Sequence, residues 1–271
     1  MQRTLSTRML LNRYGALFRM PLAENLAEVG NIVSAVLVMT MFMWVFAMLW
    51  QAVFAAQGTD LIAGLTLKHT LWYLLMAELV VLSKPLLAEE ISDSIKTGSI
   101  AYDLMRPLDF GLFHLSRYAG HVAFRACVNL LAGGAVVWLL VGPPPAWQGL
   151  FPAVLALMLA WGLEFCFEAL IGLAAFWTED ISAFRWIHQK ISFILGGLLL
   201  PLDFYPPWLA AVARVLPFAS IIYAPGRLFV DPDAGRLLST LALQLGWLVV
   251  LGFAFRLLSG RALRRLTING G

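Results

Sequence analysis

Charge is what this sequence has least of. Only 13% of its 271 residues are Asp, Glu, Lys or Arg, against about 25% in a soluble domain. Hydrophobic residues make up 61%, and the mean hydropathy is +0.80. These values exclude an ordinary water-soluble domain and make lipid the solvent. Cysteine is nearly absent. Cys127 and Cys166 both lie inside apolar runs, where a thiol behaves as a small buried hydrophobe, so neither a disulfide framework nor a metal-ligand spacing is present. Residues 1–30 lack a compact apolar stretch followed by a small-residue cleavage site, so the first span is expected to act as the membrane-targeting element.

Catalytic signatures are missing too. The phosphate-cradling G-x-x-x-x-G-K-[ST] loop needs backbone amides and a lysine around the phosphates, and Lys96-Thr97-Gly98 does not supply that pattern. If ATP drives this protein, another chain binds it. There is no H-E-x-x-H, G-x-S-x-G or H-x-E…C-x-x-C pattern. His114 and His121 stand seven apart, roughly 10.5 Å along a helix, too far to share a metal; His69 and His188 fall at predicted span ends. The net charge is +3, but the basic residues sit at the ends of apolar runs, as membrane topology places them. Nucleic acid is therefore not an expected partner. No internal repeat is detectable.

What remains is a series of apolar runs, each span needing about 20 residues. The first covers 31–54, without charge and with Trp44 and Trp50 as its large anchors. The second covers 69–87, with Glu78 near its middle. The third, 119–141, stops at Gly142 and three prolines. The fourth, 150–177, holds Glu164 and Glu168. The fifth element, 191–200, would rise only about 15 Å as a helix and spans only if it extends back through Ile187, Trp186 and Phe184. The last covers 237–258, followed by Arg261, Arg264 and Arg265. Between the fifth and last, prolines 201, 206, 207, 217, 225 and 232 break an apolar stretch. That pattern suits short helices that dip into the membrane and return.

Ahead of these runs, Arg3, Arg8, Arg13 and Arg19 alternate with a face of Leu10, Tyr14, Leu17 and Phe18, the mark of an amphipathic helix at the membrane surface. The expected fold class is thus all-α: a polytopic membrane protein of six transmembrane helices. An amphipathic helix (1–30) precedes one transmembrane domain (31–271), which contains a cytoplasmic loop (88–118) and an extracytoplasmic re-entrant hairpin (201–235). With both termini inside, fifteen of the nineteen Lys and Arg fall on the cytoplasmic side; Lys68, Arg214, Arg227 and Arg236 fall outside. That asymmetry sets the orientation.

The intramembrane acids are the sharpest chemical feature. Glu164 and Glu168 are four apart and share a helix face, and Glu78 lies mid-span. Carboxylates at this depth must face protein or water. Arg125, about two turns into the third span, is their expected partner. Two readings stay open: an ion pair that locks the bundle, or a route for a cationic or polar substrate. A carboxylate pair also admits an intramembrane lipid-modifying enzyme with the acids as acid–base pair, or an ion channel ringed by acids.

The loop after the second span reads EEISDSIKTGSIAYDLMRPLDFGLFHLSRY. Glu89, Glu90, Asp93 and Lys96 form a polar face opposite Ile91 and Ile95. Gly98 is placed to end that helix, and Arg106-Pro107 breaks the following segment. A short helix lying along the cytoplasmic surface is something a partner can grip.

That loop resembles the cytoplasmic loop of bacterial type-2 ABC transporter permeases, in the six-span subfamily with an I-x-x-G-x-(I/L)-x-x-x-L-x-R-P pattern. Here the matching residues are Ile95, Gly98, Ile100, Leu104, Arg106 and Pro107. Pro201, Phe204, Tyr205, Pro206, Pro207, Leu216, Pro217, Tyr223 and Pro225 resemble the same group's outer hairpin. The resemblance implies a permease subunit in the bacterial inner membrane. It implies a second permease, identical or homologous, and two copies of a cytoplasmic ATPase that bind ATP and Mg. Glu89 to Gly98, with Arg106 beyond, would dock the ATPase. Members export drugs, peptides, polysaccharides or lipids.

Overall fold

A computed structural model describes residues 7–106 and 108–269, with side chains over 12–106 and 108–262. Arg3, Pro107 and the side chains of Arg8, Leu10, Arg264 and Arg265 lie outside the described residues. The chain forms twelve α-helices among the described residues: α1 Thr7–Ala27, α2 Val29–Gln57, α3 Leu67–Leu82, α4 Leu87–Lys96, α5 Ile100–Met105, α6 Phe110–Val141, α7 Leu150–Leu173, α8 Ser182–Leu195, α9 Pro207–Val215, α10 Pro217–Ile221, α11 Tyr223–Val230 and α12 Ala234–Asn269. The described residues contain no strand, only an isolated bridge between Ile62 and Leu65. The all-α, polytopic expectation therefore holds.

Local sequence sets the ends. Thr66 caps α3 by accepting a hydrogen bond from the His69 amide, and Asp109 caps α6 by accepting from Leu112 at 2.9 Å. A short polar side chain that accepts from an otherwise unpaired first-turn N–H is the usual way to start a helix. Gly142 ends α6. Pro207 and Pro217 open α9 and α10, where the missing N–H costs nothing.

Burial sorts the helices. In α3 every residue from Thr70 to Val80 is buried, consistent with a helix apolar all round at the centre of a bundle. It is packed by α2, α6 and α11, while α12 lies along α7. The outer faces of α2 and α12 stay apolar and uncovered: Val33, Leu37, Met41 and Trp44 on one, Leu245, Val249 and Phe253 on the other. Apolar surface of that extent needs lipid or a partner against it.

Three sequence expectations shift. Six spans were expected; among the described residues five helical stretches are long and apolar enough to cross a membrane, namely 29–57, 67–96 (α3 with α4), 110–141, 147–176 and 234–262. The fifth element is α8, which begins earlier than 191 and stops at Leu195. Its 14 residues rise about 21 Å, short of a hydrocarbon core of about 30 Å. The proline-broken segment becomes a 3-10 turn at Leu202–Phe204 and helices α9 to α11, with α11 buried against α3 and α7. Tyr73 of α3 donates to the Gly197 carbonyl at 2.6 Å and ties this segment to the centre. Finally, α1 packs along α6. Tyr14, Leu17, Pro21 and Asn25 turn inward while Phe18 stays exposed, so Phe18 leaves the face expected for it. The Asn25 amide meets His121 Nδ1 at 3.0 Å.

Candidate functional site

The site is built on the bend between α3 and α4. Pro85 lacks an N–H and disfavours helical geometry at the residue before it. α3 accordingly ends at Leu82, and α4 restarts at Leu87, so the expected run to 87 is interrupted. Within the bend, Lys84 turns into the bundle. Its Nζ lies 3.0 Å from Glu164 Oε2 and 2.9 Å from Glu168 Oε1. Both carboxylates are buried and come from one face of α7.

Glu168 does a second thing. Its other oxygen accepts from the Ala88 amide at 3.3 Å, one of the unpaired donors in the first turn of α4. A carboxylate there is also favoured by the helix dipole. One turn further along α7, Gly172 admits the inner face of α4. A Cβ on Gly172 would stand 2.8 Å from the Ile91 Cβ and 3.0 Å from the Ala88 carbonyl oxygen. Leu87, Ala88, Ile91 and Ser92 are buried there. The start of α4 is thus welded to α7 by one hydrogen bond, one lysine and a close packing contact.

Two further ion pairs hold α4 from the sides. Glu89 pairs with Arg185 of α8. Glu90 pairs with Arg117 of α6 at 3.2 Å, and Arg117 reaches Glu24 of α1 at 3.8 Å. α4 also packs against the 3-10 turn at Ala174–Phe176 and against α5, and its outer face is open. Asp93, Lys96, Thr97 and Gly98 are exposed, and Gly98 takes φ 75° as the helix terminates, a conformation glycine adopts without strain. The neighbouring α5 exposes Tyr102 at 73% and Met105 at 80%. Arg106 is exposed, pairs with Asp103 at 3.3 Å and lies over the Phe113 ring at 4.5 Å.

The residues singled out in the sequence divide accordingly. Glu164 and Glu168 come together, but Arg125 is not their partner. Its Nη1 donates to the Lys84 backbone carbonyl at 3.3 Å, and the acids take Lys84 instead, because the bend swings the lysine inward. Glu78 is buried in α3, with no ion pair among the described residues, and does not join the cluster. Ile91 faces α7 and Ile95 is half-buried; Glu89 and Glu90 are engaged within the chain, leaving Asp93, Lys96, Gly98 and Arg106 outward.

Sequence reasoning missed Lys84, Arg185 and His188. Lys84 carried a usable signal, a lone lysine at the end of an apolar run directly before a proline. His188 was expected at a span end. It is buried on α8, and one of its ring nitrogens lies within 4.8 Å of one carboxylate oxygen each from Glu164 and Glu168, which lie within the same distance of one another. Such a group could ligate a metal, but the Lys84 ammonium already sits against both carboxylates and supplies the positive charge. A cavity of about 260 Å³ opens beside it, lined by Lys84, Glu164, Glu168, Arg185 and His188 among others. Acids bound this way do not form a free acid–base pair, which weighs against an enzymatic role.

No curated protein sequence matches the chain. The model of the ABC-2 family transporter proteins matches residues 35–270, a range that runs from the first turns of α2 into the last helix and takes in the Lys84 cluster, the α4–α5 tip and the short helices before α12. The chain belongs to the ABC-2 family of transporter membrane proteins.

Proposed function

We propose that the chain is the permease subunit of an ATP-driven exporter in a bacterial inner membrane, with α4 as the element that receives the ATPase. The observation that carries this reading is the two-sided character of α4. Its inner face is bound to α7, α6 and α8, while its outer end and α5 present Asp93, Lys96, Tyr102 and Met105 at one end of the bundle. A partner that pushes on such a helix moves the bundle with it. Aromatic and methionine side chains ringed by charges are the composition of an interface core.

In this reading ATP and Mg are bound by two copies of a cytoplasmic ATPase, and this chain carries no cofactor. A second permease, identical or homologous, would cover part of the bare apolar faces of α2 and α12, with the cargo route between the two. Both termini lie in the cytoplasm, in keeping with the Lys and Arg distribution. The Lys84–Glu164–Glu168 cluster is the structural lock that couples α4 to α7 and is not itself a binding site for cargo.

The test uses the transporter assembled with its ATPase in proteoliposomes. Asp93→Lys and Lys96→Glu are expected to leave the complex folded while ATP hydrolysis and cargo export part company. The chain alone should hydrolyse no ATP. Normal export by both charge-reversal variants would remove α4 from the docking role.

A further inference from the structure

Arg125 is the cation that the lock leaves over. It sits on α6 at the depth where α2 begins, and among the described residues no carboxylate lies within ion-pairing distance of it. Among the described residues, one of its five guanidinium N–H groups has a partner, the Lys84 carbonyl. The acid that acts on it electrostatically is Glu28, whose carboxylate is held by the Asn31 amide. A cation at membrane depth without a counterion is costly and calls for an anion from outside the chain.

The space beside it has room for one. A cleft of about 300 Å³ lies between the α1–α2 junction and α6, with Arg125, Asn25, Asn31, Ser34, Val38 and Asn129 on its walls. Asn129 is only 1% exposed, and its Oδ1 has no hydrogen-bond partner, while its Nδ2 meets Ser83 at 3.3 Å. Turning that amide over would let the Ser83 hydroxyl donate to the oxygen and leave the NH2 group in need of an acceptor.

The two rims differ. The polar rim is the junction at Glu28, with the first turn of α2 beyond it. The apolar rim is the outer face of α2, where Val33, Leu37 and Val38 are bare. A ligand that fits both has a phosphate at one end and hydrocarbon at the other. Arg13 and Arg19, exposed on α1, add the positive field that draws anionic headgroups to such a surface.

We infer that this cleft binds the phosphate of an anionic membrane phospholipid, with Arg125 as the forked donor to its oxygens and α2 as the wall for its acyl chain. The lipid is a resident of the fold rather than cargo: it lies between α1, α2 and α6, against the backbone of the Lys84 bend to which Arg125 donates. Its effect is to fix the junction of α1 and α2 against α6.

The full-length chain, purified in neutral detergent, is heated with increasing phosphatidylglycerol, with phosphatidylcholine, or with millimolar inorganic phosphate. Phosphatidylglycerol is expected to raise the melting temperature, and the other two are not. Arg125→Gln should lose at least half of that lipid-specific rise, whereas Arg214→Gln, an exposed cation on α9, should keep it. Ser34→Phe fills the cleft from the exposed side while keeping the Arg125 charge, and should lose the rise as well. Native mass spectrometry should find one phosphatidylglycerol retained by the wild-type chain and fewer by Ser34→Phe. A full rise in both cleft variants overturns the site. An equal rise with inorganic phosphate alone overturns the lipid and leaves a site for free phosphate.

Discussion

Replacing Lys84 by Met is the most incisive perturbation this structure offers. Methionine keeps the length and the apolar stem but removes the charge between Glu164 and Glu168, whose side chains are 2% and 9% exposed. Removing one partner of a buried ion pair costs about 3–5 kcal/mol, because the remaining charge is stranded. Here two carboxylates are stranded, but Lys84 is itself 20% exposed and lines an open cavity, so the lower end, about 3 kcal/mol, is expected from the same principle. At about 1.4 kcal/mol per decade, that is a loss of roughly two decades in the folding equilibrium. Denaturant titration in detergent, followed by tryptophan fluorescence, would read it. The triple variant Lys84→Met, Glu164→Gln, Glu168→Gln removes all three charges and should recover most of the loss. Lys84→Arg should also be tolerated, since a fork can reach both acids. A loss below about 1 kcal/mol in Lys84→Met, the size of an exposed pair, would refute the view that this cluster is desolvated.

Four further outcomes follow. Gly172→Leu should force α4 away from α7, because even a Cβ would stand 2.8 Å from Ile91; overpacking of this kind costs about 1–3 kcal/mol, and the assembled transporter should hydrolyse ATP with little export. Gln244→Leu removes the amide that donates to two buried carbonyls, Ala156 and Ser220, at 2.9 and 2.8 Å; because the Ala156 carbonyl keeps its helical position within α7, a loss of about 1 kcal/mol is expected by denaturant titration. Glu90→Gln, by contrast, breaks a pair that is 46% and 29% exposed, and its effect on stability should stay under about 1 kcal/mol. Asp231 lies between α11 and α12. Burial pushes its carboxyl up, but the Arg236 hydrogen bond and the Arg227 and Arg236 charges outweigh this and leave it below its ordinary value. A lowered folded-state pKa stabilises above the unfolded value of about 4 and is lost as pH falls through the folded one. The melting-temperature gap between wild type and Asp231→Asn should therefore be full at pH 7 and shrink below about pH 4.

How much of this was legible depends on the range of the interaction. That the chain is helical and membrane-embedded follows from composition and run length, because hydrocarbon imposes its demands on every segment independently. The helix break at Gly98, the stop at Gly142 and the fragmentation between Pro201 and Pro232 were visible for the same reason: glycine and proline act on their own backbone. The loop proposed to receive the ATPase was legible only as a pattern; the structure places Asp93, Lys96, Gly98 and Arg106 at the surface.

Partnership was another matter. The sequence alone determined that Glu164 and Glu168 must share a face and need a cation, since a helix has 3.6 residues per turn and lipid rejects bare charge. Only the tertiary structure decided that the cation is Lys84 and not Arg125, because that choice rests on which way the Pro85 bend turns a side chain and on how closely Gly172 lets α4 approach α7. It likewise decided where the short fifth element begins and ends: α8 runs from Ser182 to Leu195, a backward extension the sequence had left open and one still short of a full crossing.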